Sequence, residues 1–120
     1  MNAESYRWDD LDQDHPIALL TRRSVKGERV LVAQVKLLKG CHVKTHHHES
    51  EQISIMLSGK VVWGIGEEGT PDRREVPMTG GGVMVLPANV PHSVNVLEDA
   101  EFMDILSPIG PMGVDSQSKD

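Results

Sequence analysis

An all-β fold is predicted by three features: scattered turn residues, short β-branched runs between them, and the absence of a convincing helical segment. The 120-residue chain contains eleven glycines and seven prolines, which are spread along its length. Scattered turn residues divide a chain into many short segments, as in sandwiches and barrels. The chain is long enough for one domain with its own core. With only two Trp, one Tyr and one Phe, this core is expected to be mainly aliphatic.

The strand signals follow one another in order along the chain. Residues 1–28 are expected to form an acidic lead-in and a first edge strand, in which Tyr6 and Trp8 pack on the barrel or on a second subunit. Residues 29–107 are expected to form the barrel, and residues 108–120 a flexible tail that frays. β-prone segments occur at 29–38, 44–57, 61–65, 73–77, 83–86, 94–97 and 101–106, with turns at 58–60 and 79–82. At least seven short strands at this spacing predict a sandwich or a jelly-roll barrel.

The charge balance excludes several functions. A net charge of -6 gives no electrostatic basis for nucleic-acid binding, and the pairs Arg22-Arg23 and Arg73-Arg74 are interpreted as solvated surface charge. No stretch approaches the ~18 apolar residues of a membrane helix, and the N-terminus lacks the features of a signal peptide. A soluble, cytoplasmic protein is therefore expected. The single cysteine, Cys41, excludes an internal disulfide and is interpreted as a buried, inert thiol.

The segment from Thr45 to Gln52 contains the main candidate for chemistry. Alternate side chains of a strand point to the same face, so His46, His48 and Gln52 share one face in an extended chain. Glu51 is the alternative oxygen ligand, but it faces the other way unless the strand bulges. Imidazole is the commonest protein ligand for transition metals. The segment therefore predicts half of a metal site, although a lone His-x-His pair is a weak signal.

A second segment completes the pattern, and together the two segments resemble the two motifs of the cupin superfamily. The first motif has the form G-x5-H-x-H-x3-Q-x6-G, with its landmarks at Gly40, His46, His48, Gln52 and Gly59. The second has the form G-x5-P-x-N-x2-H, with its landmarks at Gly81, Pro87, Asn89 and His92. Most cupins have Glu in place of Gln52 and a turn glycine in place of Asn89, and Asn also accepts a positive φ. Val96 stands where the second motif ends in Asn.

This resemblance implies both a fold and a cofactor. The fold is a double-stranded β-helix, the jelly-roll barrel of small single-domain, RmlC-like cupins. The cofactor is one divalent transition metal ion per chain, zinc, nickel, iron, manganese or cobalt, held by His46, His48, Gln52 and His92. A neutral ligand set makes the ion a stronger Lewis acid. The absence of a Glu carboxylate favours chemistry that does not use oxygen.

Asp104 is the candidate catalytic residue. It shares strand parity with Phe102 and Leu106, so it points into an apolar cavity if that face lines the barrel. Burial would raise its pKa and suit it to act as a general acid or base, whereas the alternative is a solvent-facing residue near a strand end.

Within the superfamily, the chain is most similar to the small cupins of pectin and alginate breakdown, which linearise unsaturated uronates. The segments that carry the likeness are residues 8–11, 46–54, 87–92 and 104–108. This likeness implies a catalytic role for Asp104. The chain departs from these cupins at two positions that concern substrate binding. Leu106 replaces an aromatic residue, and no arginine follows Pro108.

The sequence therefore predicts an oxygen-independent metalloenzyme that isomerises, tautomerises or ring-opens a small sugar-acid-like or carbonyl substrate. Two alternatives remain open, a metal-dependent dioxygenase and a non-catalytic barrel that binds a small ligand. A homodimer is expected, because small barrels leave exposed sheet edges that a partner subunit can cover.

Overall fold

The computed structural model describes residues 2–117, and seven strands form its framework. The strands are β1 (Leu20–Lys26), β2 (Leu31–Leu37), β3 (His42–His46), β4 (Glu51–Ile65), β5 (Arg74–Thr79), β6 (Val83–Leu86) and β7 (His92–Ser107). Two short 3-10 turns, Trp8–Asp10 and Gly113–Ser116, are the only helical elements of the described residues. None of the helical segments described is both long and apolar enough to cross a bilayer.

Two long strands, β4 and β7, connect the two halves of the barrel. They pair with each other along most of their length. The first part of β4 also pairs with β6 and its second part with β5. The first part of β7 pairs with β3 and its second part with β2, beyond which β1 forms an edge. All these pairings are antiparallel, and the predicted all-β jelly-roll barrel is confirmed.

A β-bulge at Gly59 allows β4 to continue where the sequence predicts a turn. The register of β4 against β7 shifts repeatedly between Met56 and Val61. Gly59 has a φ of +94°, and a Cβ at this position would overlap the backbone of Asp99 and Ala100. The prediction that residues 58–60 separate two strands is therefore wrong. The segments 94–97 and 101–106 are likewise not separate strands, because both belong to β7.

The core fills the barrel with buried side chains of β2, β4, β6 and β7. Most of these side chains are aliphatic, as the composition predicts. Trp63 and Phe102 are the aromatic exceptions, and their rings pack edge to face with centroids 5.8 Å apart. Other buried members are Ala33, Val35, Met56, Val61, Leu86, Val96 and Leu106. This packing leaves room for the cavity described below.

The N-terminal lead-in lies against the edge formed by β1. Tyr6 and Trp8 line a shallow groove with Val25 of β1 and Val32 of β2. This placement brings the two aromatic residues onto the barrel. Tyr6 nevertheless remains 55% exposed.

The C-terminal segment differs from the fraying tail that the sequence predicts. Met112 and Val114 are buried, and the 3-10 turn between Gly113 and Ser116 packs against β3. The side-chain amide of Gln117 donates to the backbone carbonyl of Lys44, and its oxygen accepts from the Lys44 N–H, both at 3.0 Å. Residues 118–120 lie outside the described residues. The segment 109–117 is called the C-terminal strap below.

Candidate metal centre

Two histidines meet where β3 ends and β7 begins. His46 is the last residue of β3, and it pairs in register with His92, the first residue of β7. The register of β3 shifts between Val43 and His46, so a bulge precedes the pair. The two imidazole centroids are 4.3 Å apart. Residues that are distant in the sequence thus become direct neighbours through strand pairing.

His48 reaches the same point from a loop. It lies in the connection between β3 and β4, since β4 begins only at Glu51. The prediction that His46, His48 and Gln52 belong to one extended strand is therefore wrong. Alternation does hold at the start of β4, where Gln52 is buried and Glu51 is exposed. Glu51 is thus turned away from the histidines, as its parity predicts.

The turn before His92 is fixed by Asn89. Asn89 has a φ of +65°, in the left-handed region where Asn is one of the few tolerated residues, which agrees with its place in the motif. The Asn89 N–H donates to the carbonyl of His48 at 2.8 Å. This bond joins the loop that carries His48 to the turn that leads into His92.

Each of the three imidazoles is oriented by a backbone carbonyl. The Nδ1 of His46, His48 and His92 lies within hydrogen-bond distance of a carbonyl oxygen, which favours the Nδ1–H tautomer of each ring. The Nε2 lone pairs are then free to ligate, and one ring nitrogen from each residue lies within 4.8 Å of the others. The three carbonyls are those of Lys44 at 2.7 Å, Ser50 at 2.9 Å and Val90 at 2.9 Å.

Burial favours the neutral form of two of these imidazoles, His46 and His92. Loss of hydration lowers the pKa of His92 to about 4, and it also lowers the pKa of His46. The Nε2 of His92 is buried and has no hydrogen-bond partner in the described part of the chain. A buried acceptor without a partner costs free energy, and a metal ion would satisfy it. His46, His48 and His92 thus offer a metal site, and neutral imidazoles suit a divalent transition ion.

Gln52 places an amide oxygen beside the histidines. Its Oε1 lies 3.1 Å from the Nε2 of His48, and its Nε2 donates to the Ser54 hydroxyl at 2.8 Å. Because the amide nitrogen is committed to Ser54, the amide oxygen faces the imidazoles. Ser54 is fully buried. Sequence reasoning missed Ser54, although it shares the strand parity of Gln52.

Asp104 points into the barrel beside Ser54. It pairs with Ser54 across β4 and β7, and its neighbours Phe102 and Leu106 are also buried, as the predicted parity requires. Burial raises the pKa of Asp104 to about 6, and a hydrogen bond with Ser54 opposes this rise. The Oδ1 atom is buried without a hydrogen-bond partner among residues 2–117. Asp104 is thus a carboxyl group with one oxygen free for another molecule.

One cavity brings these groups together. His46, Gln52, His92 and Asp104 all line it, and the C-terminal strap contributes part of its wall. The strap residues in the wall are Met112, Gly113 and Val114. This part of the site could not be predicted, because two buried side chains separated by one residue make no recognisable sequence pattern.

The sequence predicts that both arginine pairs are solvated surface charge, and this prediction is wrong for Arg22 and Arg73. Arg22 lines the cavity, its side chain is only 11% exposed, and it forms ion pairs with Asp14 and Asp115. These partners lie 8 and 93 residues away in the sequence, so no local pattern indicates them.

Arg73 is also drawn into the fold. Its side chain is 22% exposed, and it donates hydrogen bonds to Thr45, Gly66 and Ser93. Its neighbour Arg74 is exposed, as the sequence predicts.

The chain matches one protein family and resembles several solved structures. A family model described as "Cupin domain" matches residues 33–106. KdgF from Halomonas sp. is 24% identical with a TM-score of 0.74, and the alignment covers 85% of this chain and 92% of that one. An RmlC-like cupin from Shewanella frigidimarina is 16% identical with a TM-score of 0.79, covering 90% and 93%. No curated protein sequence matches the chain.

Larger enzymes contain the same barrel. The oxalate decarboxylase of Lactobacillus farciminis, solved as a formate complex, is 16% identical with a TM-score of 0.78. The alignment covers 92% of this chain but only 36% of that one. At this identity the likeness shows the fold.

Proposed function

The chain belongs to the Cupin domain family, and from this premise we propose that it is an oxygen-independent metalloenzyme that isomerises, tautomerises or ring-opens a small sugar-acid-like or carbonyl substrate. The observation that carries the proposal is the buried, unpartnered Oδ1 of Asp104 in the same cavity as His46 and His92. A buried carboxyl group without partners is costly, and such groups are typical of active sites.

The proposed metal ligands are His46, His48, Gln52 and His92. The three histidines are oriented by backbone carbonyls, and Ser54 turns the Gln52 oxygen toward them. Oriented, neutral donors of this kind suit one zinc, nickel, iron, manganese or cobalt ion per chain. When bound, the ion supplies Lewis-acid polarisation of a substrate carbonyl or hydroxyl oxygen.

Asp104 is proposed to move the proton. A pKa of about 6 places its carboxyl group near the optimum for general acid–base catalysis at neutral pH. The ionised carboxylate accepts a proton from the carbon next to a carbonyl, the C–H electron pair moves toward the carbonyl oxygen, and the proton is returned to another atom of the same molecule. Reactant and product therefore have the same composition, and no oxidant is required.

Ser54 holds this arrangement together. It accepts a hydrogen bond from the Gln52 amide and hydrogen-bonds to Asp104. Since a hydroxyl group has one hydrogen, Ser54 can donate it to the Asp104 carboxylate while its lone pairs serve Gln52. A Glu at position 52 could not donate in the same way when ionised. The hydrogen-bond pattern thus accounts for Gln at a position where most cupins have Glu.

The metal site can be tested by elemental mass spectrometry of untagged protein. Wild type is expected to contain about one transition ion per chain, and His48→Ala and Gln52→Ala are expected to lose most of it. His47→Ala is the matched control, because His47 is adjacent to His48 but exposed. Retention of metal by His48→Ala, or its absence from wild type after incubation with each ion, would contradict the proposed site.

The reaction class is tested with Asp104→Asn and an oxygen electrode. The variant is expected to keep its metal and lose turnover, and wild-type turnover is expected without oxygen uptake. Stoichiometric oxygen uptake would instead support a dioxygenase. Unchanged turnover in Asp104→Asn would exclude the proposed role of this carboxyl group.

We also propose that the protein forms a homodimer. Val83 and Val85 point outward from β6, and each is 55% exposed, as is Tyr6 of the lead-in. Exposed apolar side chains on a sheet are typical of surfaces that another chain covers. Light scattering is expected to give the mass of two chains, and a monomer at all concentrations would contradict the proposal.

A further inference from the structure

The walls of the cavity are mainly apolar. Apart from the groups of the metal centre, the charged side chains within residues 2–117 that line it are Asp104 and Arg22. The remaining walls come from β1, β2, β3, β4, β7 and the C-terminal strap. They are formed by Leu20, Val35, Leu37, Val43, Trp63, Val94, Phe102, Met112 and Val114. A ligand in this cavity therefore meets hydrocarbon on most of its surface.

Arg22 is the one cation in the cavity wall among the described residues, and its charge is already compensated. Its guanidinium group makes ion pairs of 2.7 Å with both Asp14 and Asp115. Two carboxylates beside one guanidinium leave a local charge that repels a further anion. Arg22 thus offers an anionic ligand no net electrostatic attraction.

The hydrogen-bond donors of Arg22 are also fully used. An arginine has five N–H groups, one on Nε and two on each Nη. Nε donates to Asp14 at 3.1 Å, and Nη2 donates to Asp14 and to Asp115, each at 2.7 Å. Nη1 donates to Asp115 at 3.2 Å and to the Met112 sulfur at 3.4 Å. No donor remains for the carboxylate of a substrate.

From these contacts we infer that the substrate is a small uncharged molecule, with a carbonyl or enol oxygen on a mostly apolar body, and is not a sugar acid. The inference deepens the proposed function and rests on it, because the metal centre and Asp104 are the groups that receive the oxygen and the proton. A carboxylate elsewhere on the substrate would lie against apolar walls without a partner, which is costly. It would also face Asp104, a like charge when ionised.

The test compares two ligands with the same ketone and carbon skeleton, which differ in charge and in one ester methyl group. Levulinate has a ketone and a carboxylate, and methyl levulinate has the same skeleton with a neutral ester. Binding is followed by NMR titration of both zinc-loaded and metal-free protein, which does not require turnover and separates contact with the cavity walls from coordination of a carboxylate to the zinc. The ester is expected to bind about tenfold more tightly or better, as the cost of an unpaired buried charge requires. Equal or tighter binding of levulinate, or no binding of either ligand, would overturn the inference.

A variant of Asp115 tests the cause of this preference. Asp115→Asn removes one negative charge from Arg22, while the Asn oxygen can still accept the hydrogen bond that the Met112 N–H now makes to Asp115. Levulinate binding is expected to improve about threefold or more as Arg22 regains net charge. Asp9→Asn is the control, since Asp9 pairs with Arg23 at 3.7 Å outside the cavity. An equal gain in both variants would overturn the assigned role of Arg22.

The two proposals fail in different ways. If the protein binds none of the five candidate ions, the proposed metalloenzyme is wrong, but the same titration on the metal-free protein still compares the two ligands. If the protein binds zinc and prefers levulinate, the metal centre stands and the inferred substrate class is wrong.

Discussion

Gly113 of the C-terminal strap lies directly against the imidazole ring of His46. A Cβ at position 113 would overlap the ring atoms Cδ2, Cγ and Nε2. Glycine is required here by space alone, because Gly113 is not among the glycines with a positive φ. The strap and the metal centre therefore cannot be varied independently.

Gly113→Ala is accordingly expected to displace either the strap or the His46 ring. Overpacking of this kind costs about 1–3 kcal/mol, and a displaced ring would weaken metal binding about tenfold. Metal affinity is measured by competition with a chelator. Gly27→Ala is the control, since a Cβ there has ordinary contacts and no positive φ. An affinity equal to that of wild type would show that the strap gives way without moving His46.

Some residues of this site could be predicted from the sequence, and others could not. The parity of β7 predicted the burial of Asp104, because alternation is a local property of any strand with one buried face. The spacing of the two motifs placed His48 with the other histidines even though it lies outside a strand. Arg22 and Met112 could not be assigned to the cavity, because their contacts join distant parts of the chain that only the folded barrel brings together.

The pKa of Asp104 predicts how acidity affects the stability of the metal-free protein. Folding raises this pKa from 3.8 to about 6. Between these pH values the folded state holds a proton that the unfolded state has lost. The free energy of unfolding therefore rises as the pH falls through this interval. Above about pH 6 the buried charge instead costs about 3 kcal/mol at ~1.36 kcal/mol per pKa unit.

Asp104→Asn removes this cost. The free energy of unfolding of the variant, relative to wild type, is expected to be higher by about 2.4 kcal/mol at pH 8 than at pH 4. Urea denaturation of both metal-free proteins over this range measures the difference, and any constant effect of the Asn side chain cancels. A pH-independent difference would show that Asp104 titrates normally. Metal loading should reduce the effect, because a nearby cation favours the carboxylate.

Ser54→Ala tests whether the hydroxyl orients Gln52. Without Ser54 as acceptor, the Gln52 amide is free to turn its nitrogen toward the histidines, and metal affinity is expected to fall several-fold. The hydrogen bond is worth about 1 kcal/mol. The decisive measurement is a double-mutant cycle with Gln52→Ala. In the Gln52→Ala background, Ser54→Ala should have little further effect on metal affinity. An undiminished loss there would assign Ser54 a role in packing alone.

Arg73 connects the two segments that carry His46 and His92 from outside the cavity. Its Nη1 donates to the Thr45 hydroxyl at 3.1 Å, and its Nη2 donates to the Ser93 hydroxyl at 2.8 Å. Thr45 and Ser93 are the immediate neighbours of the two histidines in the sequence. The guanidinium group lies over Gly64, where a Cβ would overlap it. Arg73 thus holds the end of β3 against the start of β7, next to the bulge in their pairing.

Arg73→Ala is therefore expected to weaken metal binding as well as to lower the melting temperature. Each lost hydrogen bond to a charged group is worth about 1.5–3 kcal/mol, and part of this free energy should appear as a loss of metal affinity of about tenfold. Arg74→Ala is the matched control, because Arg74 is the exposed neighbour on β5. Chelator competition and thermal unfolding are measured on both variants. If Arg73→Ala lowers the melting temperature and leaves metal affinity at the level of Arg74→Ala, the arginine stabilises the fold without positioning the histidines.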